Sequence, residues 1–200
     1  EKASPVNTVA LSICQTDIGN LYLEMGFHDK AHTFFEKALE NRKKWLAETH
    51  SLTIESMNNM GIILSKLGKN DEALSYYQKC LEARINLYGE EHKKVADIYS
   101  NIGNVYLKMK KNEDALKSQK KALEIRLKVL PKYHHRIADS YLNLGNIYHN
   151  ANRHNDAIEA FELALKIYKK THGEKHPSLA SCYTNIGVSF KALGKAMESQ

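Results

Sequence analysis

The sequence is poor in the residues and runs that mark several classes of protein. It has three cysteines and three prolines in 200 residues, and no apolar run approaches the length of a membrane span. A membrane-crossing helix needs about 20 consecutive apolar residues, so we predict no membrane span. Three separated cysteines, Cys14, Cys80 and Cys182, are too few and odd in number for a disulfide framework. We therefore predict reduced, packed thiols in an intracellular protein.

The motifs that commonly carry catalysis or cofactor binding are missing as well. The glycines form neither a Gly-x-Gly-x-x-Gly fingerprint nor a phosphate loop, and the sequence has no Gly-x-Ser-x-Gly elbow. No His-Glu-x-x-His pair occurs among the ten histidines. We predict a protein without enzymatic activity, cofactor or metal site.

A motif that recurs at a fixed interval organises the chain. Five glycines stand 42 residues apart, each within a near-copy of Asn101-Ile102-Gly103-Asn104-Val105-Tyr106. They are Gly19, Gly61, Gly103, Gly145 and Gly187. A period in this range is typical of stacked-repeat proteins. The predicted repeats cover about 8–49, 50–91, 92–133 and 134–175, with a truncated fifth at 176–200.

Each repeat has the hydrophobic spacing of two helices joined by a short turn, and no strand pattern competes. After a lead-in loop over residues 1–7, we predict helices over 8–24, 29–45, 50–67, 71–87, 92–109, 113–129, 135–150 and 155–171. A last helix starts at Pro177, and a further one begins just before Gln200. Because that helix would be unfinished, we expect the chain to be a fragment of a longer protein.

Four histidines, His50, His92, His134 and His176, share the 42-residue period. They lie on successive repeats, and packed helices stand about 8–10 Å apart. Zinc requires its ligands at about 2 Å, so one ion cannot bridge two of these side chains. We predict a loop or helix-capping role for them.

The residues around each glycine share one pattern. A large side chain stands four positions before the glycine in four of the five copies, and an aromatic residue or leucine stands three after it in all five. Alanine stands twelve after the glycine in the first four copies. The position sixteen after it holds Phe35, Tyr77, Gln119 or Phe161. Small residues let helices approach closely and large ones fill the remaining space. The pattern resembles the tetratricopeptide repeat (TPR) over nearly the whole chain. The resemblance implies an all-α, right-handed superhelical solenoid of antiparallel helix hairpins.

The repeat length indicates which group of TPR proteins the chain resembles. The usual unit has about 34 residues, whereas this one has 42, and the extra residues lengthen the second helix and the linker. The run from Gly173 to Ala180, followed by Tyr183-Thr184-Asn185-Ile186-Gly187, resembles the 42-residue repeats of kinesin light chains and related adaptors. This resemblance implies an adaptor that binds a protein partner.

In the first helix of each repeat, asparagines recur on the face that lies away from the core positions. Asparagine is a poor residue for the middle of a helix, so helix propensity does not explain them. A side-chain amide donates and accepts, and a ladder of amides can pair with a peptide backbone. The resemblance puts this face on a concave groove. The predicted groove residues are Asn20, Asn59, Asn101, Asn104, Asn143, Asn146, Asn185, Lys66 and Lys108. Alternatively, some of these amides bridge adjacent repeats or cap local groups.

Charged residues bear on which partners the groove accepts. Glu55, Asp97 and Asp139 are predicted at its start, which gives it mixed charge. The lysine that the carboxylate clamp of chaperone-binding TPRs needs is absent, because Asn58, Ser100, Leu142 and Thr184 occupy its place. The groove should therefore not bind chaperone tails.

The tyrosines and the basic residues weigh against a nucleic-acid partner. Seven of the eleven tyrosines are predicted in the repeat core: Tyr22, Tyr77, Tyr99, Tyr106, Tyr141, Tyr148 and Tyr183. A stacking platform for single strands needs exposed rings. The net charge of +6 comes from scattered residues, so it favours acidic partners only weakly.

These observations predict a scaffold or adaptor that binds an extended peptide or helix of a partner in its groove. The resemblance implies a cytoplasmic setting, with motor-cargo linkage or a cytoskeletal or ciliary scaffold as the context. Three alternatives stay open: a polarity-type adaptor, a homo-oligomerising scaffold that self-associates through its end or flanking regions, and a basic nucleic-acid-binding solenoid.

Overall fold

A computed structural model describes residues 5–198, with side chains from Val6 to Gly194. Over these residues the chain forms nine α-helices and no strand. None of these helices is long and apolar enough to cross a membrane. The helices are α1 (Pro5–Glu24), α2 (His28–Trp45), α3 (Ser51–Lys66), α4 (Asn70–Tyr88), α5 (Lys93–Lys108), α6 (Asn112–Val129), α7 (His135–Asn150), α8 (His154–His172) and α9 (Pro177–Glu198).

The bounds agree with the predicted ones within about three residues, with two corrections at the ends. The predicted lead-in loop is wrong where it is described, because α1 already begins at Pro5; residues 1–4 lie outside the described part. A proline suits the first helical position, where a missing N–H costs nothing. The second correction concerns α9, which continues through Gly194 to Glu198 instead of turning into another helix. Gly194 lowers helix propensity but does not by itself end a helix.

The helices divide into two compact units. The N-terminal unit ends at Glu90 and holds α1–α4, and the C-terminal unit starts at Glu91 and holds α5–α9. Within each unit, sequential helices pack as antiparallel pairs, as predicted for TPR hairpins. The second helix of a pair also packs on the following helix, as α2 does on α3, α6 on α7 and α8 on α9. The handedness of the whole array stays a prediction.

Apolar side chains at helical spacing explain how each helix joins its unit's core. In α5, Val95, Ile98, Ile102 and Val105 follow the three- and four-residue steps of one helix face, and all four are buried. In four repeats the motif glycine lies against a side chain of the second helix. A Cβ atom on Gly19, Gly61, Gly103 or Gly145 would come within 3.0 Å of Phe35, Tyr77, Gln119 or Phe161, respectively. The packing role of these four glycines is confirmed, whereas Gly187 has no side chain of the described residues within 4 Å of its missing Cβ.

The turn inside each hairpin uses a left-handed backbone at equivalent positions. Gly26 and Gly68 have φ of 78° and 80°, and Lys110 and Asn152 have φ of 60° and 59°. Glycine adopts this conformation at little steric cost, and asparagine tolerates it better than most other residues. The lysine is held there because the helices that flank it are fixed by their packing.

The tyrosine predictions are mostly confirmed. Tyr77 is buried, and Tyr22, Tyr99, Tyr106, Tyr141 and Tyr148 are half-buried. The prediction for Tyr183 is wrong, because 52% of this residue is exposed, and Lys169 of α8 lies over its ring at 5.6 Å. Tyr168, which was not predicted in the core, is buried.

The cysteines are free thiols in two different settings. Cys80 and Cys182 are buried as predicted, whereas Cys14 is exposed on α1. The Cys80 Sγ donates to the carbonyl of Ile54 at 3.1 Å. Burial raises the pKa of Cys80 to about 12 and that of Cys182 to about 11. Both buried thiols are therefore protonated and unreactive at neutral pH.

The four periodic histidines cap helices, which confirms their predicted role. In each, Nδ1 accepts a hydrogen bond from the backbone N–H two residues later, at 3.1–3.2 Å. The residues are His50 for α3, His92 for α5, His134 for α7 and His176, which precedes α9. This bond requires a neutral ring with its proton on Nε2. No group of side chains in the described part is arranged to hold a metal ion.

The cap of α7 predicts a dependence of stability on pH. Burial, followed by the positive charges of His135 and Arg136, lowers the pKa of His134 below 6.5. The unfolded state then binds the proton more tightly, so the stability contribution of His134 is complete above about pH 6.5 and is lost as the pH falls through the folded-state pKa. We expect His134→Asn, which can also cap, to lose less stability than the wild type between about pH 7.5 and pH 5. Urea unfolding at both pH values would measure this, and equal losses would contradict it.

Candidate functional site

A cavity of about 310 Å³ lies in the C-terminal unit between α7 and α9. We call it the amide cavity, because asparagines of both helices line it. Its polar residues are Asn146, His149, Asn150 and Asn185, and its apolar ones are Leu107, Phe161 and Val188. Phe161 is almost fully buried and packs directly on α7 because residue 145 is a glycine. The repeat motif therefore builds the floor of the cavity as well as the helix pair.

Two of the predicted groove asparagines meet at this cavity. Asn185 of α9 donates from Nδ2 to Oδ1 of Asn146 on α7 at 3.2 Å, so the pair bridges adjacent repeats. This contact uses one of the two N–H donors of Asn185 and one acceptor position of Asn146. The Asn146 amide group and the Asn185 oxygen keep hydrogen-bonding capacity toward the cavity. Bridging and ligand binding are thus compatible roles for the same side chains.

Other predicted groove residues of the C-terminal unit lie outside the lining of this cavity. Asn143 donates to Ser100 Oγ at 3.4 Å, which joins α7 to α5. Asn104 is exposed and accepts from Gln119 Nε2 at 3.0 Å. Asn101 is half-buried, and Lys108 is exposed. The bridging alternative therefore describes Asn143, whereas Asn104 contacts the second helix of its own repeat.

The predicted residues of the N-terminal unit are more dispersed. Asn20 and Lys66 are exposed, and Asn59 is half-buried. Oδ1 of Asn59 accepts a long bond of 3.5 Å from the neighbouring Asn58. The amide cavity thus provides the most defined geometry for the predicted site.

Sequence reasoning did not select His149 and Asn150, which also line the amide cavity. His149 Nδ1 lies 3.0 Å from Ser189 Oγ of α9. Burial, and then the nearby His154, lower the pKa of His149. A neutral ring at this wall can donate or accept one hydrogen bond. His149 and Asn150 lie one turn after Asn146 on α7, and this spacing could have predicted that they share its face.

The acidic residues expected at the start of the groove are engaged by other side chains. Glu55 lies 3.5 Å from the buried Arg42. Asp97 lies 2.8 Å from both Arg126 and Arg136, and Asp139 accepts a hydrogen bond from Tyr168. These carboxylates thus contact side chains of neighbouring helices, and the acidic end of the groove stays a prediction.

Buried arginines, which sequence reasoning missed, connect successive helices. Arg42 is 1% exposed and donates to Ser12 Oγ, the Leu52 carbonyl and Ser56 Oγ. Arg126 is 4% exposed and donates to the Arg136 carbonyl, Ser140 Oγ and Asp97. A signal was present, since arginines at 42, 84 and 126 follow the 42-residue period.

The matching family and the helical hairpins define the class of this protein. The Tetratricopeptide repeat family matches residues 10–86, 53–128 and 136–198, which together take in most of the chain. The chain belongs to this family. Its domains generally mediate protein–protein interactions and are typically non-catalytic.

Solved structures show which TPR arrays it is similar to. It resembles BtubC (BKLC) from P. vanneervenii, with a TM-score of 0.75 and 27% identity over 88% of this chain and 69% of that one. A putative kinesin light chain with nearly identical TPR-like repeats from Podospora anserina has a TM-score of 0.77 and 19% identity, over 94% and 89%. MamA protein has a TM-score of 0.58 and 20% identity, over 92% and 83%. No curated protein sequence matches the chain. The array is structurally similar to kinesin light chain-like TPR domains.

Proposed function

We propose that this protein is a non-catalytic adaptor that holds an extended peptide segment of a partner protein along the asparagine-bearing faces of α5, α7 and α9 in its C-terminal unit. The observation that carries the proposal is the Asn146–Asn185 pair beside the amide cavity. The pair fixes two amides in place, and each keeps unused hydrogen-bonding groups. Holding these groups in place before binding lowers the entropic cost of association.

The composition of the cavity suits a peptide. Backbone N–H and C=O groups of an extended segment need partners of both kinds, and Asn146, Asn150 and Asn185 offer donors and acceptors. Leu107 and Val188 supply an apolar surface for one side chain of the segment, above the buried Phe161. Backbone recognition would give affinity with little sequence preference, and the apolar surface would select the side chain.

We propose a cellular context on the basis of the structural relatives. Similarity to a putative kinesin light chain supports motor-cargo linkage or a related cytoskeletal or ciliary scaffold in the cytoplasm. The C-terminal unit is the part of the chain to which we assign partner binding.

A peptide-display selection against the full chain tests this function. Random dodecapeptides that bind the wild type would be selected. Their dissociation constants would then be measured for the wild type and for the double variant Asn146→Ala, Asn185→Ala. Loss of hydrogen bonds to a bound backbone should raise the dissociation constant about 10- to 100-fold. Asn155→Ala, which removes an exposed asparagine of α8 away from the cavity, is the matched control and should leave affinity unchanged.

Two results would contradict the proposal. One is a set of binders whose affinity is equal for the wild type and the double variant. The other is an affinity that falls steeply with salt, which is the behaviour of phosphate contacts and would favour a nucleic-acid partner.

A further inference from the structure

A second cavity of about 250 Å³ lies in the C-terminal unit between α6 and α8. We call it the tyrosine cavity, because Tyr141 and Tyr148 of α7 line it with Leu144. Positions 141, 144 and 148 lie on the opposite side of α7 from positions 146, 149 and 150, because successive residues turn by about 100°. The tyrosine cavity is therefore separate from the amide cavity and has its own access to solvent.

Two positions of the fourth repeat leave the tyrosine cavity open. Residue 163 is a leucine that is 37% exposed, whereas the equivalent positions of the other three complete repeats hold Lys37, Lys79 and Lys121. Residue 160 is alanine and the third repeat has Ser118 there, whereas the first two repeats have Phe34 and Tyr76. The fold is thus compatible with lysine at the first position and with a ring at the second. The fourth repeat instead has an exposed apolar side chain beside an unfilled space.

Several polar groups that line the tyrosine cavity are available for hydrogen bonds or ion pairs with a ligand. Asp156 forms an ion pair with Arg153 at 2.7 Å, and Arg153 lies over the Tyr148 ring at 4.7 Å. In contrast, Lys120, Glu159 and the Tyr141 hydroxyl have no hydrogen bond or ion pair with any residue in the described part of the chain. Lys120 comes from α6 and Glu159 from α8, so opposite charges stand on opposite walls.

We propose that the tyrosine cavity is a second docking site, which binds one apolar side chain of a peptide segment from a partner protein. Leu123, Leu144 and Leu163 contact the apolar side chain. An acidic residue on one side of it pairs with Lys120, and a basic residue on the other side pairs with Glu159. A half-buried tyrosine hydroxyl beside the apolar side chain donates to the peptide backbone. The charge complementarity sets the direction of the segment across α6 and α8.

A core-packing role does not account for these residues. A leucine that serves the core is buried, and the position of Leu163 is a solvated lysine elsewhere in the array. Filling the space from residue 160 is also possible, because the first two repeats have rings there. The fourth repeat lacks both the solvated lysine and the ring, and both changes favour the binding of an external apolar group.

Peptide display on the full chain tests the proposal, with each binder assigned by the variant that abolishes its binding. We expect a set of dodecapeptides with an apolar residue between one acidic and one basic residue. Their dissociation constants should rise at least tenfold on Leu163→Lys and on Ala160→Tyr and stay unchanged when Asn146 and Asn185 are both alanine. Lys120→Glu should weaken the same peptides, and replacing their acidic residue with lysine should restore binding.

The outcomes separate this proposal from the one for the amide cavity. If all binders depend only on Asn146 and Asn185, the tyrosine cavity is overturned as a site and the amide cavity is supported. If all binders depend only on Leu163, the amide cavity is overturned and the tyrosine cavity is supported. A selection without any peptide sensitive to Leu163→Lys would overturn the second site. That variant restores the residue of the other repeats at an exposed position, so the result does not depend on whether Ala160→Tyr folds.

Discussion

Replacing Gly145 with alanine is expected to destabilise the C-terminal unit by about 2 kcal/mol, although alanine is the better helix former. The added Cβ would lie 2.4–2.8 Å from three ring atoms of Phe161, which is buried and cannot move away without disturbing α8. Overpacking of this kind costs about 1–3 kcal/mol, and the gain in helix propensity offsets up to about 1 kcal/mol. Urea unfolding followed by far-ultraviolet circular dichroism measures the difference.

Gly187 provides a matched control for that variant. It holds the equivalent position on α9, but no atom lies within 4 Å of a built Cβ. Gly187→Ala should therefore be neutral or stabilise α9 by up to about 1 kcal/mol. Combining Gly145→Ala with Phe161→Leu should recover part of the lost stability, because the two sites are in contact. Equal effects of the two alanine variants would show that the ring contact does not control stability.

Replacing Arg126 with methionine is expected to cost about 3 kcal/mol, because removing one partner of a buried ion pair leaves the other groups unsatisfied. Arg126 is 4% exposed and holds Asp97 and Ser140 at 2.8 and 2.7 Å. Asp97 keeps Arg136 as a second partner, so we expect a loss near the lower end of the range for buried pairs. Nε of Arg126 has no partner, and losing that group offsets part of the cost.

An exposed ion pair with almost the same N–O distance tests whether burial causes the expected loss of stability. Arg153 lies 2.7 Å from Asp156, with the two side chains 48% and 44% exposed. Exposed pairs contribute about 0–1 kcal/mol, so Arg153→Met should change the free energy of unfolding by no more than that. Equal losses for the two methionine variants, measured by urea unfolding, would contradict the assignment of Arg126 to the core.

The repeat positions could be predicted because they depend on local spacing. A 42-residue period fixes which residues share a helix face, and the same spacing placed the motif glycines and the capping histidines correctly. The roles of the buried arginines could not be predicted in this way. Arg126 contacts Asp97, 29 residues earlier, and Ser140, 14 residues later, so its surroundings depend on how three helices pack.

The candidate site was predictable only in part for a related reason. The asparagine positions follow from the period, but which of them bridge repeats and which line a cavity depends on the distances between α5, α7 and α9. Asn143 reaches Ser100, whereas Asn185 reaches Asn146 beside open space. The tyrosine cavity arises where an apolar Leu163 replaces the periodic lysine beside the small Ala160, and only the packing of α6 and α8 shows that these two residues line one cavity.

The distribution of the cysteines gives the chain built-in reporters of local unfolding. Cys80 is buried in the N-terminal unit and Cys182 in the C-terminal unit, whereas Cys14 is exposed. A thiol reagent can modify the exposed site in the native state, but it reaches either buried site only when the surrounding helices open. Mass spectrometry of pulse-labelled protein would then give separate opening free energies for the two units without introducing a probe, and would show whether they unfold together or one at a time.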